Sequence, residues 1–197
     1  MNATIRCLLA VAIVLAARSA AAQWPGTLGI FDDQAMTVTH GTMEGTSKEV
    51  YLGIRLDPPG DGFTGIECSI AGLEQFLYYA ADWQNGPGVV VGSLAAPVDT
   101  IAGTGGINVA WPTCQMGERV VMRLLLVAAA PPQDAVLEVR RRYPPSSNQF
   151  TYPYATTCDQ PCFGCHWKLR GGTYTLNPTI GVDASSWSAI KSLYRRP

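Results

Sequence analysis

A mainly β fold, with two sheets packed as a sandwich, is predicted by three features of the sequence. Short β-prone runs recur along the chain, each closed by Gly or Pro. Several of these runs alternate apolar and polar side chains with a period of two, the signature of a strand with one buried face. One run, residues 119–127, is apolar enough for a strand at the centre of a sheet.

The first 22 residues read as an export signal rather than as part of that fold. Arg6 supplies the positive start, residues 7–17 a short apolar core, and Ala20-Ala21-Ala22 a small-residue cleavage pattern. The core is too short to span a bilayer, which takes roughly 20 apolar residues. Cys7 lies inside the core rather than just after a cleavage box, which argues against a lipid anchor. The mature chain is expected to begin near Gln23, with a sandwich domain over residues 23–157. Residues 158–197 then supply a cysteine-rich loop, a final strand and a C-terminal helix packed on the sandwich. No later stretch is apolar and long enough to cross a membrane.

Within the sandwich the elements follow in order. Val50, Leu52, Ile54 and Leu56 alternate with Tyr51, Gly53 and Arg55, giving one apolar and one solvated face. The turn Asp57-Pro58-Pro59-Gly60-Asp61-Gly62 ends that strand. The next places Ile66, Cys68 and Ile70 on one face and Glu67 and Ser69 on the other, so Cys68 is expected to be buried. Residues 74–84 read as a short aromatic helix. Residues 88–94 and 107–111 read as strands. In residues 119–127, Val120, Met122, Leu124 and Leu126 share one face, and Val121, Leu125 and Val127 share the other with Arg123. That strand is therefore expected to be covered on both sides. Residues 135–143 form another strand, residues 144–157 a loop rich in Pro, Ser and Tyr, and residues 167–176 one more strand interrupted by Gly171-Gly172. A last helix over residues 185–194, capped by Ser185 or Ser186, carries the apolar stripe Trp187, Ile190, Leu193 and Tyr194.

Charge limits the partners. Without Arg6 and Arg18, 12 basic and 15 acidic side chains remain, unevenly spread: residues 23–134 hold 4 basic and 12 acidic, the rest 8 and 3. The basic run Arg140-Arg141-Arg142 is short and the chain is not basic overall, so nucleic-acid binding is not expected.

The densest chemistry lies in Cys158-Asp159-Gln160-Pro161-Cys162-Phe163-Gly164-Cys165-His166. With Cys68 and Cys114 this leaves five cysteines after cleavage, an odd number that admits two bridges and one spare thiol in 15 arrangements. In an exported chain the disulfide reading asks least. Cys158 is expected to reach Cys162 or Cys165 inside the loop, and Cys68 to reach Cys114.

The alternative comes from Cys162-x-x-Cys165-His166, which resembles the haem attachment site of c-type cytochromes. That resemblance implies thioethers from Cys162 and Cys165, His166 as the proximal ligand, and His40, Met116 or Met122 as the distal one. Against it, residues 167–176 read as a strand where common cytochromes are helical. A zinc site would require the adjacent Cys165 and His166 to converge on one ion, and a redox Cys-x-x-Cys would need a βαβ context. Neither is expected.

Hydrolytic constellations are missing: there is no Gly-x-Ser-x-Gly elbow and no His-Glu-x-x-His helix. Asp32-Asp33, and Asp57 with Asp61 in their Gly- and Pro-rich run, read as turn formers. Tyr143, Phe150, Tyr152 and Tyr154 crowd one loop, with Trp83, Trp111 and Trp167 elsewhere. Exposed rings of this kind stack on sugars or proteins, but filling the ends of the sandwich is the preferred reading.

Residues 50–73 and 119–127 resemble the cohesin-like sandwiches, in which an apolar strand and turn precede a G-x-x-G strand, matched here by residues 62–70. The element order over residues 26–157, and the ending Ser186-Trp187-Ser188-Ala189-Ile190-Lys191-Ser192-Leu193-Tyr194-Arg195, are similar to small secreted bacterial β-sandwich proteins. The resemblance implies an immunoglobulin-like or cohesin-like β-sandwich outside the cytoplasm, secreted, periplasmic or at the cell surface. The expectation is an exported, non-catalytic binding or structural module, held by disulfides and without cofactor, whose partner is an extracellular protein or glycan. The alternative is a mono-haem electron carrier.

Overall fold

In the computed structural model, residues 26–56, 62–95, 105–158 and 166–179 are described. They form thirteen strands: β1 (Gly26–Phe31), β2 (His40–Gly41), β3 (Ser47–Leu56), β4 (Gly62–Ala71), β5 (Tyr78–Trp83), β6 (Val89–Ser93), β7 (Gly106–Met116), β8 (Arg119–Val127), β9 (Ala135–Arg140), β10 (Tyr154–Thr157), β11 (His166–Lys168), β12 (Arg170–Gly171) and β13 (Thr173–Leu176). The expected export signal and C-terminal helix lie outside the described residues.

Alternation places the strands in two sheets. The smaller runs β12-β1-β3-β8-β5, and the larger runs β11-β10-β4-β9-β13-β2. β4 organises the larger sheet. Its first two-thirds pair with β7 on one side and β10 on the other, its last three residues with β9, and β6 extends the sheet beyond β7. Between the sheets, Val50, Leu52, Ile54, Leu124 and Leu126 meet Ile66, Cys68, Ile70, Leu137 and Val139, all buried. These are the inward sets expected of β3 and β4.

Five local expectations fail. Residues 74–84 are not a helix. After a 3-10 turn at Leu73–Gln75 the chain extends into β5, because Tyr79 and Trp83 face the core while the backbone pairs along β8. β8 is interior to its sheet but covered on one face only, with Leu125 40% exposed. A bulge opposite Leu52 and Gly53 buries Val121 and turns Val120 outward, shifting the parity read from the sequence. The loop over 144–157 ends in strand β10.

The strand expected over residues 167–176, finally, is not one interrupted strand: β11 and β13 belong to the larger sheet, whereas β12 pairs parallel with β1 in the smaller. Gly172 makes the crossing. Its N–H donates to the Leu28 carbonyl in one sheet and its carbonyl accepts from Val139 N–H in the other, and a Cβ here would fall 2.9 Å from Gly29 Cα.

Candidate binding face

β6 carries Val89, Val90 and Val91, exposed by 54, 43 and 53%, and no residue of the strand is buried. Its pairing explains this. Among the described residues β6 bonds only to β7, with Val89 opposite Ala110 and Val91 opposite Asn108. On β7 the inward residues Ile107, Val109 and Trp111 are buried, so β7 is the last strand of this end to reach the core. β6 overhangs it, which is why even Val90, opposite buried Val109, remains open. Natural edge strands are ordinarily protected by charge or Pro within the strand. β6 has neither, and Pro87 precedes it. The result is an apolar strip on a sheet edge.

The adjoining outer face of β4 is closed by a polar cluster. Glu67, 1% exposed, accepts hydrogen bonds from Ser146 N–H (3.0 Å), Asn108 Nδ2 (3.2 Å) and the Tyr154 hydroxyl (3.3 Å), with Arg142 Nη1 at 3.9 Å. A buried carboxylate is tolerated when its lone pairs are filled in this way. Burial above all pushes the Tyr154 phenol above its ordinary value; the Ser146 hydrogen bond opposes this and the Glu67 charge adds to it. Phe150 stacks on Tyr154 at 3.8 Å, and the His166 ring meets both edge-on at 4.7 and 5.2 Å. The cluster thus pins the 141–153 segment over β4 and leaves the β6–β7 end uncovered.

The structure reassigns the cysteines. Cys114 is joined to Cys158, not to Cys68, at a Cα separation of 5.6 Å. Register forbids the expected pairing: Cys68 lies opposite Ile107, seven residues along β7 from Cys114, a span of roughly 20 Å in extended chain. Cys68 is a buried free thiol, as its alternation indicates, and burial pushes it up to about 12. Cys158 is therefore not bridged within its own loop. Cys162 and Cys165 lie outside the described residues.

The other candidates are dispersed. His166 is on β11 and His40 on β2, the two ends of the larger sheet's path, while Met122 is fully buried in the smaller sheet and Met116 closes β7. Asp33 is a turn former: it accepts from Thr37 N–H, Thr37 Oγ1 and Val38 N–H, which hold its carboxyl below the ordinary value. Asp32 accepts from the Tyr174 hydroxyl (2.6 Å) and pairs with Lys48 (2.7 Å). Asp57 and Asp61 are outside the described residues. Trp111 fills the core, edge-on to Phe63, and donates to the Gln84 carbonyl; Trp83 and Trp167 pack against the core. Among the described residues no three His, Cys, Asp or Glu side chains converge as metal ligands. No described helix is long and apolar enough to cross a membrane.

The arrangement of the two sheets is similar to that of a cohesin module from the family 33 glycoside hydrolase of Clostridium perfringens, with a TM-score of 0.50 over 79% of this chain and 98% of that one at 15% identity. The fold is a cohesin-like β-sandwich. Lower TM-scores of 0.35 and 0.37 relate it to a non-cellulosomal cohesin from Archaeoglobus fulgidus (7% identity, 84% of this chain and 96% of that one) and to the seventh ScaB type I cohesin from Pseudobacteroides cellulosolvens (11% identity, 81% and 96%). No protein-family model and no curated protein matches the sequence. The exposed end of this cohesin-like sandwich has no signature in the sequence: the valine run signals a strand, but nothing in it signals an edge.

Proposed function

We propose that the chain is an exported, non-catalytic binding module that receives a protein partner on the β6–β7 end of its larger sheet. The observation that carries this reading is the strip Val89-Val90-Val91, apolar, exposed and on a strand with one hydrogen-bonding edge unpaired among the described residues. An unpaired edge accepts an added strand through its backbone, and flanking apolar side chains supply contact area. A protein strand offers both at the strand's own spacing, an unbroken run of backbone donors and acceptors with apolar side chains beside it. Export is supported by the leader-like first 22 residues and by the Cys114–Cys158 bridge, a linkage of oxidising compartments. The reading as a non-catalytic module is supported by the cohesin-like fold and by carboxylates engaged in turns, ion pairs and a buried cluster.

The test is a double substitution, Val89→Asp with Val91→Asp. A partner captured from the secreted fraction and then purified is expected to bind the wild-type chain at least about tenfold more tightly than the variant, with unchanged thermal midpoint. Equal binding by the two proteins would defeat the assignment.

A further inference from the structure

The outer face of the smaller sheet holds a hollow of about 410 Å³ between β3, β8, β5 and the turn that follows β5, lined among others by Gln34, Tyr51, Asp82, Gln84, Asn85 and Arg123. Register builds it: Tyr51, Arg123 and Asp82 are direct partners in one row across three strands. Arg123 Nη2 donates to Asp82 Oδ2 at 2.8 Å, and its Nε lies 3.6 Å from Glu49. Gln84 Nε2 donates to the carbonyl and the carboxylate of Asp82, and the Tyr51 hydroxyl donates to Glu49. Arg119, at the end of the hollow, is fixed by the Met116 carbonyl and by Gln115 Oε1 at 2.9 Å. These polar groups are oriented by one another in the free protein, so a ligand would not have to order them.

The lining selects a chemistry. An apolar ligand would strip water from guanidinium, carboxylate and carboxamide groups without replacing their hydrogen bonds. A highly charged ligand would meet charges already balanced, since Arg119 and Arg123 together offset Asp82 and the neighbouring Glu49. What remains is a set of side chains that present donors and acceptors close together, three of them carboxamides, beside one aromatic ring. Neighbouring hydroxyl groups, each donor and acceptor at once, match that set, and a ring such as Tyr51 takes the apolar face of a pyranose. The volume falls within the range of small-molecule sites, roughly 300–1,000 Å³.

We propose that this hollow is a binding subsite for a neutral saccharide. It lies on the opposite sheet from β6–β7, so it does not depend on the protein-docking assignment, and one module would hold a saccharide and a protein at once.

The experiment titrates the isotope-labelled chain, processed by an exporting host, with neutral hexasaccharides of β-1,4-linked glucose, xylose and N-acetylglucosamine, and with a galacturonate hexamer as the charged probe. One neutral saccharide is expected to give saturable shifts of the Gln84, Asn85 and Arg123 amides while those of Val89 and Val91 stay fixed. Gln84→Ala and Arg123→Ala are each expected to weaken binding by about tenfold. Asn85→Gly is the second variant: Asn85 has φ 62°, which glycine adopts without strain, so it removes the carboxamide and keeps the turn. Absence of saturable shifts up to roughly 10 mM, equal affinity in all three variants, or tighter binding of the galacturonate hexamer would each overturn the proposal.

Discussion

Cys114 and Cys158 are joined across the first residue of β4, with Gly62 directly beneath the bridge. β7 and β10 flank β4 on opposite sides, so the disulfide ties both neighbours of the central strand at one end. Cys158 N–H also donates to the Gly62 carbonyl. A Cβ at Gly62 would fall within 3.0 Å of both sulfur atoms.

Gly62→Ala is therefore expected to push strand and bridge apart. Overpacking of this kind costs about 1–3 kcal/mol. The thermal midpoint should fall and the fraction of free thiol at Cys114 and Cys158 should rise; a thermal melt checks the first against wild type and thiol titration of the folded variant the second.

Reduction of the bridge acts through the unfolded chain. The cysteines are 44 residues apart, and closing a loop of that size stabilises by about 4 kcal/mol on the chain-entropy account. Denaturant unfolding with and without reductant measures the difference. An unchanged midpoint would show that the bridge does not constrain the unfolded state.

Alkaline pH probes Cys68. Its folded pKa is raised from 9.0 to about 12, so the thiol's contribution is fully present below pH 9 and is lost as pH rises toward 12. Tyr174, raised first by burial and then by its hydrogen bond to Asp32, loses stability in the same direction. Cys68→Ala should thus flatten the fall in stability between pH 9 and 12 without abolishing it. Urea midpoints of both proteins across that range decide the matter.

Glu67→Gln tests the cluster that closes the outer face of β4. The amide keeps the shape but removes the charge facing Arg142 and replaces one acceptor with a donor among three donors. A loss of about 1–3 kcal/mol is expected. The Tyr154 phenol, relieved of the Glu67 charge, should titrate lower than in wild type yet stay raised, because burial is the leading cause of its shift. Ultraviolet titration of phenolate follows it.

Much of the frame was legible where apolar and polar side chains alternate along a strand. Val50 to Leu56 and Ile66 to Ile70 alternate cleanly, and their inward sets are those predicted. Legibility failed where long-range pairing overrides local pattern. Tyr79 and Trp83 look helical in isolation, but β8 offers their backbone a partner. Gly171-Gly172 reads as an interruption, whereas its missing side chains allow the chain to pass between sheets. The bulge at Val121 reverses the parity of Val120 and Val121, while Met122, Leu124 and Leu126 keep the inward face that the sequence predicts. Cysteine pairing requires the β4–β7 register, which no spacing reveals. The candidate docking strip was visible as three valines and invisible as an edge.

The central claim, that a protein docks on β6–β7, is tested most directly by photo-crosslinking. A benzophenone side chain is placed in turn at Val89 and Val91 on β6, Leu125 on β8 and Val136 on β9, four exposed apolar positions on three strands, and irradiated with the purified partner. Adducts from positions 89 and 91, with none from 125 and 136, are the predicted result. Adducts from 125 or 136 in the absence of any from 89 and 91 would contradict it.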